Sequence, residues 1–303
     1  MSFTTEVKKE LSQIDTRGDQ AAAELSALIR ILGSLSLSNK GLNLVMQTQS
    51  SVVARRIFSL LKQVYGVKSE IVVQTKTQFG RHHQYLIQVG AATQDILSEL
   101  EILDGLAFKI DVAQDIKDSV NNTRAYLRGA FLASGSVRNP EKNQYHLEIF
   151  SVYIEHAKDL IEMLSALEIE GKLFEKKQGF IVYLKSSAAI SDFLLSIGAA
   201  KAMLHFENAK IIKEIKRDVN RKLNFETANM NRTVDAATRQ IEMILALQMR
   251  GSFDSLSEKL QEVANARVKF PEQSITELGA TLGISKSAVN HRLRKIEQIY
   301  DEV

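Results

Sequence analysis

NTRAYLRGAFLASGSV, residues Asn122–Val137, is the stretch whose reading decides the fold. In helical register Leu127, Ala130 and Phe131 form an apolar flank. The pairs Gly129/Ala133 and Ala130/Ser134 form a face with almost no side chain, and Gly135 ends the helix. Small residues one turn apart let two backbones approach closely. Such a helix needs a partner, and Ala22–Leu35 (AAELSALIRILGSL) supplies one about a hundred residues earlier.

Leu25–Gly33 (LSALIRILG) aligns with Leu127–Gly135 (LRGAFLASG), and both resemble the LAGLIDADG helix of homing endonucleases. That resemblance implies two helices packed side by side on a pseudo-two-fold axis. It also implies an acid at the eighth motif position that binds the catalytic metal. Here those positions hold Leu32 and Ser134, so the scaffold is expected without the chemistry. Glu24 and Glu148 lie elsewhere in the units and are not substitutes. No catalytic residue, metal or cofactor is therefore expected, and the chain reads as a non-enzyme.

Outward from these helices the same order of elements occurs twice. Phe3–Ile14 is a short amphipathic helix with Thr4 or Thr5 as its cap. After the first motif helix come a strand (Leu42–Gln49), a helix (Ser51–Tyr65, stopped by Gly66), two strands (Ser69–Thr77 and Gln84–Val89) and a helix that Thr93 caps. After the second come a strand (Tyr145–Val152), a helix (Ile154–Leu167), a hairpin (Lys172–Glu175 and Phe180–Lys185) and a helix (Ala188–Ile197). Ala54, Ile57, Phe58 and Leu61 match Ala157, Leu160, Ile161 and Leu164 at a single offset. An internal duplication follows. The expected class is an α+β pair of pseudo-symmetric αβαββα units, LAGLIDADG-like, ahead of an all-α helix-turn-helix domain. The expected boundaries are 1–110 and 111–200 for the repeats, 201–250 for a helical linker and 251–303 for the terminal domain.

With 303 residues, 45% hydrophobic and 25% charged, the chain is long enough for two cores of ordinary composition. The absence of cysteine excludes disulfides, cysteine zinc sites and thiol nucleophiles. No apolar run reaches membrane-spanning length, and the charged start carries no signal-peptide pattern, so a cytoplasmic protein is expected. The net charge of +3 is uneven. Residues 201–303 carry 17 Lys and Arg against 14 Asp and Glu, whereas the first 200 residues balance. Within the C-terminal part, Ile284–Ile296 has four cations and no acid, a candidate phosphate-binding surface.

That surface belongs to Ser274–Ile296, SITELGATLGISKSAVNHRLRKI. Gly283 ends one helix, Ile284 anchors the turn and Ser285 caps the next helix. Leu278, Leu282, Ile284, Val289, Leu293 and Ile296 are spaced to bury the pair, which is the arrangement of a helix-turn-helix. Lys286, Ser287, Asn290, His291 and Arg294 fall on the outer face, where Arg suits guanine and Asn suits adenine. With Ser274, Ser285, Arg292 and Lys295 they make up the candidate DNA-binding set, and double-stranded DNA is the expected partner. Upstream, Lys213, Lys216, Arg217, Arg221 and Lys222 are candidates for DNA backbone, for a partner protein or for water alone. Asn220, Asn224, Asn229 and Asn231 disfavour a helix interior, and the spacing predicts a break near Asn224 between helices Ala199–Lys222 and Phe225–Met249. Further helices are expected at Asp254–Ala266, Ile275–Leu282 and Lys286–Ile299.

The run NRKLNFETANMNRTVDAATRQIE, the duplicated acid-free motif unit and the terminal SKSAVNHRLRKIE together resemble the WhiA family of bacterial regulators. The resemblance extends to the opening MSFTTEVKKEL, with Phe225 standing where a cysteine is the family's usual residue. It implies a non-enzymatic, sequence-specific DNA-binding regulator associated with the nucleoid. The role it implies is in sporulation, or in cell division and chromosome segregation. Another transcription factor or a division or nucleoid protein is a further possible partner. An adaptor acting through protein contacts and an active nuclease are the alternatives, and internal pairing of the repeats favours a monomer.

Lesser signals are weighed against ordinary structure. Lys76, Arg81, His82 and His83 crowd one hairpin tip, either on a DNA-facing sheet or as an exposed turn. Asp104, Asp111, Asp115 and Asp118 fit no calcium loop and read as a solvated connection. His146, His156 and His205 stand singly, as surface or partly buried side chains.

Overall fold

A computed structural model describes residues 2–38, 41–67, 69–76, 82–105, 107–142 and 144–302, except the side chains of residues 37, 38, 76 and 82. The chain forms two compact units, 1–213 and 214–303. Among the described residues, no helix is long and apolar enough to cross a membrane.

In the first unit α1 (Phe3–Leu11) precedes the first motif helix, α2 (Gly18–Leu32). β1 (Gly33–Ser38), β2 (Gly41–Thr48), α3 (Ser51–Tyr65), β3 (Glu70–Lys76), β4 (His82–Val89) and α4 (Thr93–Glu99) complete the first repeat. A small hairpin, β5 (Leu103–Asp104) with β6 (Ala107–Phe108), and α5 (Gln114–Asp118) lead to the second motif helix, α6 (Val120–Ser134). β7 (Ser136–Val137), β8 (Leu147–Ser151), α7 (Ile154–Ala166), β9 (Lys172–Lys176), β10 (Gly179–Leu184) and α8 (Ser187–Ser196) repeat the pattern. The antiparallel sheets have matching orders, β1-β2-β4-β3 and β7-β8-β10-β9. The duplication is therefore real in three dimensions.

The two motif helices approach as the small-residue face requires. A Cβ placed on Gly129 would lie 2.3 Å from the Glu24 carbonyl oxygen and 2.9 Å from Ala27 Cβ. Leu25, Leu28, Leu127 and Phe131 are fully buried around this seam. Each repeat also has a strand beyond the expected αβαββα order. Gly33 and Gly135 leave their helices in extended conformation (ψ 142° and 146°), so the chain runs directly into β1 or β7. Leu35, expected in the helix, lies in β1 opposite Leu44.

Local chemistry corrects two cap assignments. Ser2, rather than Thr4 or Thr5, caps α1 by accepting the Thr5 amide. Thr93 is already inside α4, so its hydroxyl turns back to the strands. It donates to the Val89 carbonyl at 2.7 Å and accepts the Leu44 amide at 3.2 Å.

The predicted break near Asn224 does not occur. α9 runs unbroken over Ala200–Met249. No glycine or proline stands between Gly198 and Gly251. An asparagine in an exposed helix costs only about 0.7 kcal/mol relative to alanine, too little to open a ladder of good helix formers. Asn220, Asn224, Asn229 and Asn231 are all exposed, as is Phe225. The helix starts on an acid: the Glu10 carboxylate accepts the amides of Lys201 and Ala202 at 2.8 and 2.9 Å.

In the second unit α9 continues to Met249, followed by a 3₁₀ turn at Phe253–Ser255. α10 (Glu258–Lys269), α11 (Ile275–Leu282) and α12 (Lys286–Glu302) complete it. Its separate core contains Ile244, Leu247, Leu260, Val263, Leu278, Val289, Leu293 and Ile296.

Candidate nucleic-acid interface

The local sequence builds α11, the turn and α12 without long-range help. Ser274 Oγ accepts the Glu277 amide at 3.3 Å, and the Glu277 carboxylate accepts the Ser274 amide at 2.7 Å, a complete capping box. Those bonds hold the Glu277 carboxyl below its ordinary pKa, the backbone amide contributing most. Gly283 takes the left-handed turn at φ 67°. The Ile284 amide then donates to the Gly279 carbonyl at 2.9 Å. Gly279 has to be small, because a Cβ there would meet the Ile284 carbonyl oxygen at 2.7 Å. Ser285 caps α12 by accepting the Ala288 amide at 3.2 Å.

Leu278, Val289, Leu293 and Ile296 are buried, and Leu282 and Ile284 are half-buried against the same core. This burial fixes what α12 leaves outside. Lys286, Ser287, His291, Arg294 and Lys295 are exposed, and Asn290 is half-buried at the edge of that face.

Not every candidate residue falls there. Arg292 turns to α10, where its Nη1 meets Glu262 Oε2 at 3.3 Å and the Lys259 carbonyl at 3.4 Å. Ser274 and Ser285 have their hydroxyls engaged in capping. Among the α9 candidates, Lys213 belongs to the first unit. Its Nζ bonds the carbonyls of Pro140 and Lys142 and lies 4.5 Å from the Tyr145 ring centroid. Arg221 pairs with Asp218 at 2.5 Å, while Lys216, Arg217 and Lys222 are exposed.

In the duplicated body, Leu32 and Ser134 end the two motif helices. Leu32 is half-buried, and Ser134 Oγ donates to the Phe150 carbonyl at 2.7 Å. The hairpin-tip cluster falls outside the described residues at Arg81 and for the side chains of Lys76 and His82. His83 is exposed beside Thr75.

Two internal polar networks lie behind residues that the sequence left without a role. Glu24, fully buried, accepts Arg56 Nε at 2.7 Å and Arg128 Nε at 2.8 Å. Arg56 also bonds the Thr16 hydroxyl and the Ile14 carbonyl. His156 is buried rather than at the surface. Its Nε2 accepts the Tyr126 hydroxyl at 2.9 Å. Ser151 Oγ donates to the Tyr153 carbonyl at 3.0 Å and so receives the proton of His156 Nδ1, 2.8 Å away. Burial, with Arg30 nearby, lowers the His156 pKa to about 4. Burial also raises that of Tyr126.

Two LAGLIDADG-like units built on a shared helix seam, ahead of a trihelical domain with a basic outer helix, define a class: a LAGLIDADG-like body with an appended helix-turn-helix. Three family models match in that order. They are the WhiA N-terminal LAGLIDADG-like domain over residues 19–103, the WhiA LAGLIDADG-like domain over 123–216 and the WhiA C-terminal HTH domain over 219–300. A protein of Enterococcus faecalis named "Probable cell division protein WhiA" is 44% identical over 306 residues, covering 100% of this chain and 98% of the relative. One of the same name from Latilactobacillus sakei subsp. sakei is 46% identical, covering 98% of this chain and 96% of its own. The chain belongs to the WhiA family. The crystal structure of full-length WhiA from Thermatoga maritima shares its fold, with a TM-score of 0.62 at 26% identity, covering 100% of this chain and 99% of the other.

Proposed function

We propose that the chain is a non-enzymatic, sequence-specific DNA-binding regulator that acts in the nucleoid of the cytoplasm. The observation that carries this reading is the outer face of α12. Lys286, Ser287, His291 and Arg294 are exposed on a helix whose opposite side is locked into a core by Val289, Leu293 and Ile296. A rigid helix with an acid-free basic face at its N-terminal half fits the major groove. The names of the Enterococcus faecalis and Latilactobacillus sakei relatives support a part in cell division. Chromosome segregation, and sporulation in related species, extend the same reading.

Nuclease chemistry is a poor fit to the residue types. Carboxylates at the motif-helix ends are what a divalent ion needs, and leucine and serine stand there. The body then serves as a platform or as a second contact surface.

A second reading, an adaptor that docks proteins through the duplicated body, is favoured by one feature. Val73 on β3 and Phe174 on β9 are more than half exposed on edge strands of the two sheets.

The test is a DNA site selection with the full chain and with Asn290→Ala/Arg294→Ala. The expected result is a defined sequence preference that the double variant loses. A double variant that selects the same sites would place recognition elsewhere. Bound sites across the genome with few transcript changes on depletion would favour the adaptor.

A further inference from the structure

In the C-terminal unit a half-open groove of about 250 Å³ lies between α9 and the first turns of α11 and α12. Arg232, Thr233 and Gln240 of α9 form one wall, Arg267 of α10 the floor, and Thr276 and Lys286 the other wall. Among the described residues, three cations line the groove and no carboxylate does. Glu277, the acid nearest in sequence to Thr276, is turned back onto the Ser274 amide at 2.7 Å.

Arg267 is the unusual member. Only 1% of it is exposed, yet no carboxylate pairs with it among the described residues. Its Nη1 donates to the Gln273 carbonyl at 2.6 Å, and its Nε has no hydrogen-bond partner among the described residues. Burial lowers its pKa. A guanidinium taken out of water without a counter-charge is costly, and an incoming anion reverses that cost. The Gln240 Oε1 is likewise buried without a partner among the described residues. An amide can turn to offer its NH₂ instead. The wall supplies more donors. Ile275 and Thr276, whose amides open α11 and have no acceptor within their own helix, line the groove, as does Lys286, the first residue of α12.

We propose that this groove binds a phosphate-type oxyanion, held by Arg232, Arg267 and Lys286 and by the first-turn amides of α11. At about 250 Å³ it is smaller than the roughly 300–1,000 Å³ of sites that enclose whole cofactors, and it suits a phosphate or diphosphate group. That group is either a DNA backbone phosphate or the phosphate of a free small molecule such as a nucleotide. The DNA-borne form rests on the function proposed above; the free form does not.

The full chain is compared with Arg232→Gln and Arg232→Lys. Arg232 is exposed, so neither change touches the core. Pyrophosphate and inorganic phosphate are titrated by calorimetry and thermal shift, against chloride at equal ionic strength. DNA affinity is measured in parallel across salt concentrations on a selected target. Saturable pyrophosphate binding that weakens at least fivefold in Arg232→Gln, and less in Arg232→Lys, establishes the free form. No pyrophosphate response, with a salt slope about one unit shallower in Arg232→Gln and an unchanged sequence preference, establishes the DNA form. If neither changes, the proposal is overturned. If the wild-type chain binds no DNA, the function proposed above fails and the pyrophosphate titration alone decides this one.

Discussion

Arg128 Nε on α6 donates to Glu24 Oε2 on α2 at 2.8 Å, an ion pair with side-chain exposures of 7% and 0% across the seam between the two repeats. The same carboxylate accepts Arg56 from α3, so one acid joins three helices. Its removal leaves two buried guanidinium groups without their counter-charge. Glu24→Ala is expected to destabilise the N-terminal unit by about 3–5 kcal/mol, as broken buried pairs do. Urea unfolding followed by far-UV circular dichroism checks this. A midpoint equal to the wild type would show that water replaces the carboxylate without penalty.

The backbone contact beside that pair makes a second expectation. Gly129→Ala puts a methyl 2.3 Å from the Glu24 carbonyl oxygen, so α2 and α6 have to separate. Overpacking of this kind costs about 1–3 kcal/mol. Gly129→Ser carries the same methyl-position clash plus one more atom, so it should cost more than Gly129→Ala. Thermal unfolding of the two variants should separate them clearly.

Stability should also fall at mildly acidic pH because of His156. Its folded pKa is lowered to about 4 from 6.5, so between those values the unfolded chain binds the extra proton. The contribution is fully present above about pH 6.5, declines as pH falls and is gone below about pH 4. The total is up to about 3 kcal/mol, since each pKa unit is worth about 1.4 kcal/mol. His156→Gln lacks this titration. The difference in unfolding free energy between wild type and variant should therefore shrink from pH 7 to pH 4. A constant difference would mean that His156 titrates alike in the folded and unfolded chains, and a difference that grows as pH falls would mean that the fold raises its pKa instead.

The helix seam and the terminal helix pair were readable from sequence because short-range rules set both. Gly129 and Ala133 announce a close approach, and the Ser274–Glu277 box and Gly283 mark helix ends within a few residues. β1 was hidden because Gly33 ends α2 without a left-handed turn, so Ser34 and Leu35 read as the tail of the helix and the Leu-Ser alternation that continues to Ser38 received no strand. The Glu24–Arg56–Arg128 cluster was not readable. Its members are 32 and 104 residues apart, and an acid on a helix resembles any surface acid until the fold buries it. Arg292 shows the limit at the site itself. Composition groups it with Arg294, whereas the pitch of α12 sends the two side chains to different neighbours.

That divergence gives the last prediction. Arg292 is 19% exposed in its side chain and pairs with Glu262 of α10, which is half exposed, so its contribution is to stability and is small, about 0.2–1 kcal/mol. Arg294 is exposed and makes no such contact among the described residues. If α12 enters the major groove, Arg294→Ala should lose about 1–3 kcal/mol of binding to a selected site, some 5- to 150-fold, with an unchanged melting temperature. Arg292→Ala should lower the melting temperature slightly and leave affinity near that of the wild type at a temperature where both are folded. Lys216→Ala provides the third comparison, because a backbone contact from α9 would weaken all sequences alike and make the salt dependence shallower by about one unit. Fluorescence anisotropy on matched and mismatched duplexes at several salt concentrations resolves all three. Greater loss of selectivity in Arg292→Ala than in Arg294→Ala would mean that the recognition face is rotated about the axis of α12 from the one assigned above. The Glu262 pair would then have to open when the protein meets DNA.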